Sequence, residues 1–272
     1  MIPVKKILGY GGAGSINTTQ LLISGGSFDM GRQISYLNMI STPPDATSAS
    51  RIQHADGIRG YMGSISFDVT SFAMGLFTVS NGLLQRNWTF NVGISDGNDT
   101  WQMVGCKATN LSMSGSAGGL LSAQVSYVGK TGKQFGAPMA YAFIRDTNIP
   151  MGYWNTGTAD DDDNVREWTF TMSQEATPVY LNVSNLAPEP EDPAYIKIGL
   201  VSYKLDVTTY KNIFPSLTSA PIIIATDTFT LTGRTLGTGF SFGGITDLGT
   251  YSYTFETSSQ NGWSDGLVIS QS

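Results

Sequence analysis

Apolar and polar residues alternate through "YMGSISFDV", so that Ile65, Phe67 and Val69 share one face. This two-residue period predicts a half-buried strand. The period then changes in "TSFAMGLFTVS", where Phe72, Leu76 and Val79 fall at helical spacing and Thr70 or Ser71 stands ready to cap. A helix of two or three turns is predicted here, weakened by Gly75. Strands return in "RNWTFNVGI", "TWQMVGCKA", "TNLSMSG" and "LLSAQVSYVGK", joined by the turn-forming "SDGND" and "GSAGG". Upstream, "QLLISGGSFDMGRQISYLNMI" reads as strand pieces broken at Gly25-Gly26 and Gly31, and "LGYGGAGSINTT" as a flexible arm. Residues 41–60 read as a polar loop, long enough to suggest function or a partner contact.

The order starts again after residue 130. "REWTFTM", "VYLNV" and "AYIKIGLVSYKLDV" read as strands, with "APEPEDP" a stiff loop whose prolines exclude central pairing. "TTYKNIFPSLTS" takes the place of the short helix, limited by Pro215 to about one turn. "PIIIATDTFTLTG", "GTGFSFGG" and "GTYSYTFET" close the series, and residues 257–272 look like a tail. Phe67-Asp68-Val69-Thr70-Ser71-Phe72 lines up with Leu205-Asp206-Val207-Thr208-Thr209-Tyr210. A rival register sets Arg86–Phe90 against Arg166–Phe170, but leaves most of the first 85 residues without counterparts. The expected fold is mainly β. It comprises an arm (1–17), a first β domain (18–130), a connector with a second β domain (131–257) and a tail (258–272), with one short helix per domain.

Composition sharpens this. Charged residues are 13% of the chain, against about 25% in ordinary soluble domains. A surface so poor in charge suits burial between subunits. The net charge of −6 comes with no Lys/Arg run, which excludes a phosphate-gripping surface. The single Cys106 excludes an internal disulfide. No stretch approaches the ~20 apolar residues of a membrane helix. "MIPVKKILGYGGAG" lacks the apolar core of a signal peptide, so synthesis in a cytoplasm is expected. The sequons at Asn17, Asn87, Asn98, Asn110 and Asn182 then read as a by-product of composition.

Candidate chemistry is thin. His54, beside Asp56, reads as a solvated loop residue, and Cys106, in "MVGCKA", as a small core residue. Asp160, Asp161, Asp162 and Asp163 form the sharpest cluster, yet lack the alternating acids and turn glycine of a Ca²⁺ loop. A solvated or pore-facing acidic loop is the favoured reading. "GYGGAG" lacks the strand, helix and lysine of a phosphate loop. No catalytic constellation, metal set or cofactor motif emerges, and a non-enzymatic protein is expected.

"VGCKATNLSMSGSAGGLLSAQVSYVGK" (104–130) resembles the strand–bend–strand texture that ends a domain in tail tube proteins of long-tailed bacteriophages. Leu111-Ser112-Met113 lie before the bend and Leu121 to Tyr127 after it. "ISFDVTSFAMGLF" is similar to the family's single helix on a β sandwich. The resemblance covers roughly residues 60–130, and the second half only by element order. It implies β-sandwich or partial-barrel domains, six to a ring, whose inner strands join into one barrel. Rings stack into a tube that carries DNA. Two domains per chain would then make three chains a ring. The resemblance further implies a virion-tail location, tape measure, terminator and distal tail proteins as partners, and DNA passing without specific binding. Asp160 to Asp163, Asp68 and Asp206 are candidates to face the lumen. Pro43, Pro44, Arg51 and His54 in loop 41–60, and Pro188, Pro190 and Pro193 in loop 184–193, are candidates for ring-to-ring contact, with arm 1–17. Alternatives are another tail or baseplate component, a carbohydrate- or receptor-binding β module, and, weakest, a β-rich hydrolase.

Overall fold

The computed structural model describes residues 13–38, 52–77, 82–137, 165–181, 192–210, 219–224, 227–232, 234–241, 249–259 and 267–271. In chain order the elements are β1 Ala13–Ile16, β2 Thr19–Asn38, β3 Ile52–Asp68, α1 Ser71–Met74, β4 Phe90–Ser95, β5 Thr100–Ser116, β6 Ser122–Val128 and β7 Thr131–Phe135. They continue with β8 Val165–Val179, β9 Tyr195–Thr209, β10 Ser219–Ile224, β11 Asp227–Thr232, β12 Arg234–Ser241, β13 Thr250–Ser259 and β14 Leu267–Gln271. The protein is mainly β, as the alternation predicts.

Six strands close on themselves in the order β1-β2-β3-β6-β5-β4, and β4 returns to β1. Closure removes the exposed edges of a small sheet. The alternating apolar residues fill the interior: Ile65 and Phe67 from β3, Val125 and Tyr127 from β6, Leu111 and Cys106 from β5, and Val92 and Ile94 from β4 are buried. Burying each large side chain stabilises by about 1.5–3 kcal/mol. Close approach also dictates sequence here. A Cβ on Gly63 would lie 2.6 Å from the Tyr127 hydroxyl, which reaches across to the Ser27 carbonyl.

Helix α1 is much shorter than predicted. Thr70 caps it as expected, its hydroxyl accepting from the Ala73 N–H at 3.2 Å, but Gly75 ends it after one turn. The following turns fold Phe77, Leu83 and Leu84 back into the core, with Phe77 against Phe67 at 6.2 Å between ring centroids.

Several expectations need correction. β2 runs unbroken through Gly25-Gly26 and Gly31, because its ladder to β3 outweighs their low strand propensity; a bulge at Ile23/Gly25 absorbs the irregularity. Residues 52–60 of the supposed loop 41–60 belong to β3 and pair with β2. Ala13–Ile16, inside the supposed arm, is a strand wedged between β2 and β4, with Ala13 and Ile16 buried. Leu267–Gln271, inside the supposed tail, pairs with β11 in a separate sheet of order β10-β11-β14. "TWQMVGCKA" and "TNLSMSG" form the single strand β5, and "REWTFTM" runs on as β8 to Val179, the first residue of "VYLNV". The predicted second helix falls largely on 211–218, outside the described residues; its first residues, Thr208 and Thr209, end β9.

The two halves share one sheet. β8 pairs with β5, and β9, β13 and β12 follow. Along this sheet the first half therefore runs β2-β3-β6-β5, and the second β8-β9-β13-β12. In each half a long hairpin comes first, its second strand bears the Asp-Val-Thr segment at its end, and the last two strands enter in reversed chain order.

The junction sits on β5. Its start, Thr100–Cys106, pairs with β4 to close the barrel, while Asn110–Ser116 pairs with β8 to extend the sheet. Between them Gly105 adopts φ +67, a conformation that favours glycine, and a bulge separates Ala108 from Asn110. A bulge leaves backbone groups without ladder partners. Gln174 of β8, itself buried, donates to the Ala108 carbonyl at 2.9 Å and accepts from the Asn87 N–H at 3.4 Å. Lys107 donates to the Asn87 carbonyl and, at 2.5 Å, to Thr89 Oγ1, and burial lowers its pKa. Gln174→Leu removes the donor to the Ala108 carbonyl at the bulge and the acceptor for the Asn87 N–H, and should lower stability by about 1–3 kcal/mol in denaturant unfolding. A loss under 0.5 kcal/mol would show that the junction does not depend on this side chain.

Candidate functional site

Alternation that buries one side of the sheet leaves the other side open, and in register its residues form transverse rows. One row crosses the chain as Asp68, Ser122, Ser114, Thr169, Asp206 and Thr254. The next holds Ser66, Gln124, Ser112, Thr171, Lys204 and Glu256. A third holds Ser64, Ser126, Asn110, Ser173 and Ser202. The face is thus a carpet of small hydroxyl and amide side chains, hydrogen-bonded among themselves. Ser27 meets Ser64 at 2.9 Å, Ser114 meets Ser122 at 3.0 Å, and Asn110 donates to Ser173 at 3.2 Å.

Its charges are few and mostly negative. Lys204 lies 2.8 Å from Asp206, whose other oxygen accepts from the Thr254 hydroxyl at 2.7 Å. The cation of these rows is therefore engaged within the chain. A shallow depression of about 230 Å³ opens between β5, β6 and β8, lined by Ser114, Ser122, Thr169 and Glu167. Among the described residues no group of three or more His, Cys, Asp or Glu side chains gathers as a metal site.

The candidate residues divide sharply. Asp68 and Asp206 stand in one row of the open face, with β6, β5 and β8 between them, about 19 Å apart at the usual strand spacing. Asp160, Asp161, Asp162, Asp163, Pro43, Pro44, Arg51, Pro188 and Pro190 lie outside the described residues. His54 is a residue of β3 opposite Tyr36, not of a loop. Pro193 is buried within this chain, and the N–H after it, on Ala194, closes the β8–β9 hairpin onto Val179. That hairpin end is tied to the first half. Tyr61 donates to Asp192 at 2.5 Å, and Tyr180 donates to the Arg59 carbonyl at 2.7 Å. Burial first, then the bond to Asp192, raises the Tyr61 pKa.

The hydroxyl carpet itself escaped the sequence reading, although Ser or Thr at every second position in "SISFD", "NLSMSGS" and "TFTMS" carries the signal. No protein-family model matches the chain, and no curated protein matches it.

Inside the core the titratable groups are held neutral. Burial pushes the Cys106 thiol up to about 12, outweighing a hydrogen bond from the Val92 backbone, so it is no nucleophile at neutral pH. Burial also raises the Tyr127 phenol, and lifts Tyr203 to about 12 against the opposing charge of Arg86. In the unfolded chain these groups ionise near 9.0 for the thiol and 10.0 for the phenols. Above those values the unfolded state binds fewer protons than the folded state, so stability falls as pH rises toward 12. Each group contributes a slope of up to about 1.4 kcal/mol per pH unit. Urea midpoints measured between pH 8 and pH 11 should decline, and Cys106 should resist thiol reagents until the protein unfolds. A flat midpoint would contradict the burial of these groups.

Proposed function

We propose that this chain is a structural protein that polymerises edge to edge into rings, and that stacked rings form the tail tube of a long-tailed phage. The observation that carries this reading is the tandem strand order, β2-β3-β6-β5 followed by β8-β9-β13-β12. The proposal takes these as two copies of one unit joined at the β5–β8 seam. Asp68 and Asp206 support it, standing at matching positions of the two units: each lies on the second hairpin strand, between the first strand and the reversed pair.

The seam suggests how copies join. β12 ends the sheet, and β1 covers only Thr19–Leu21 of β2, so among the described strands both outer units keep open edges. Open edges template pairing with another chain. If β12 of one copy meets β2 of the next, as β5 meets β8, the contact is head-to-tail and closes when the rotation permits. Continuing across that joint, the same number of strands separates Asp206 from the next Asp68. Three copies then place six carboxylates at one level of a closed barrel.

The open face suits the inside of such a barrel. Hydroxyls keep the wall wet, and the surplus of carboxylates repels phosphates, so DNA slides without being held. Tape measure, terminator and distal tail proteins are the partners this role entails. Light scattering and native mass measurement should find trimers, and negative-stain images should show hollow rings or tubes. A protein that stays monomeric at high micromolar concentration, with no tubes on the grid, overturns the proposal.

A further inference from the structure

The two long hairpins differ at one rung. Gly60 on β3 and Ile198 on β9 stand the same distance ahead of Asp68 and Asp206. Ile198 faces Ala176, but Gly60 faces Gly31. No contact demands these two glycines. A Cβ on Gly60 would meet nothing within 4 Å, and one on Gly31 only the Gly60 carbonyl at 3.9 Å. Neither has a positive φ.

Lateral support ends at the same level. β6 makes its last pair with β3 at Met62, the Gly129 N–H follows onto the Tyr61 carbonyl, and β1 reaches only Leu21 of β2. Beyond the glycine rung, residues 32–38 and 52–59 pair with each other alone among the described strands, and a bulge at Arg32/Ile34 loosens the first of those rungs. A two-stranded ribbon without neighbours is marginal by itself, and a rung without side chains resists bending least.

Two hydrogen bonds bracket the rung. Tyr61, on the barrel side, donates to Asp192 at 2.5 Å and so anchors the β8–β9 hairpin end to the barrel. Tyr180, at that same hairpin end, donates at 2.7 Å to the Arg59 carbonyl on the far side of the rung. Carbonyls two residues apart point to the same edge of a strand, so Arg59 carries the next acceptor after Tyr61 on the edge that β6 leaves. The Tyr180 hydroxyl takes the place of a further strand's N–H.

We infer that the outer β2–β3 hairpin is a hinged arm, pivoting at the Gly31–Gly60 rung and latched by the Tyr180 hydroxyl on the Arg59 carbonyl. Latched, the arm is held to the second half and its β3 edge is capped. Released, it swings, and that edge is free to accept a strand. The β8–β9 hairpin is the fixed post. It is anchored through Tyr61 and through Arg86, which donates to the Gly199 carbonyl at 3.1 Å. The device lies within one chain and does not depend on ring formation.

The test places nitroxide labels on the full chain at Ser35→Cys, in the arm, and Asn98→Cys, in the exposed turn between β4 and β5. Labelled protein is diluted with unlabelled chain, and buried Cys106 stays unlabelled. Pulsed electron paramagnetic resonance should give one narrow distance distribution. Tyr180→Phe should widen it about twofold or more, and adding Gly31→Val with Gly60→Val should narrow it again. A pivoting arm keeps its own ladder, so amide exchange within 32–38 and 52–59 should be no faster in Tyr180→Phe than in the unchanged chain. The valine pair alone should not lower the melting temperature, because both positions have room for a side chain. Four results would each overturn the hinged arm: a width that Tyr180→Phe leaves unchanged, widening that the valine pair does not reverse, faster exchange throughout the arm, or a valine pair that melts early.

Discussion

Strand β5 serves two neighbours on one edge, β4 near its start and β8 near its end, and the satisfaction of its backbone between them decides where the other strands go. A continuous ladder would commit β5 either to the barrel or to the extended sheet. The bulge at Ala108/Asn110 and the left-handed Gly105 let it do both, at the cost of backbone groups that the ladder no longer pairs. Gln174, reaching in from the second half, meets the Ala108 carbonyl at the bulge, while Gln174 and Lys107 together tie Asn87 and Thr89, which lead into β4, to the same place. The joint thus adds buried side-chain-to-backbone hydrogen bonds to a register that the apolar face already specifies.

From that joint the rest follows mechanically. Once β8 is registered on β5, alternation carries one continuous apolar face from Phe67 and Val125 through Leu111 and Phe170 to Leu205 and Tyr253, all buried. The opposite face is fixed at the same moment, since a slip by one residue would exchange the two. Hydroxyl side chains populate the open rows because they satisfy one another laterally without demanding a charge partner. The hairpin ends are pinned separately, by the Tyr61–Asp192 and Tyr180–Arg59 hydrogen bonds, so the second half leans on the first at two distant places.

Beyond the closed barrel, β12 and the length of β2 past Leu21 keep open edges among the described strands, and open edges on a surface poor in charge favour association. The proposed pairing of β12 with β2 of a neighbouring copy would cover both edges and the weakly charged surface beside them.

The sequence by itself determined the β class, the position of most strands, a helix cap at Thr70 or Ser71 and the burial of Cys106, because each rests on local period or local chemistry. It also aligned Asp68 with Asp206, which the structure sets in one row. It misplaced what long-range pairing decides. Gly25-Gly26 and Gly31 look like breaks until β3 is laid beside them, and residues 52–60 look like a loop until β2 supplies partners. Ala13–Ile16 has too few residues to show a period, and becomes a strand only because β2 and β4 leave a slot between them. α1 stops after one turn at Gly75, and the chain beyond it turns Phe77 and Leu83 into the core. Local pattern names which residues turn inward, but only the ladder names their neighbours, because a strand's hydrogen bonds are made to another strand and not within its own segment.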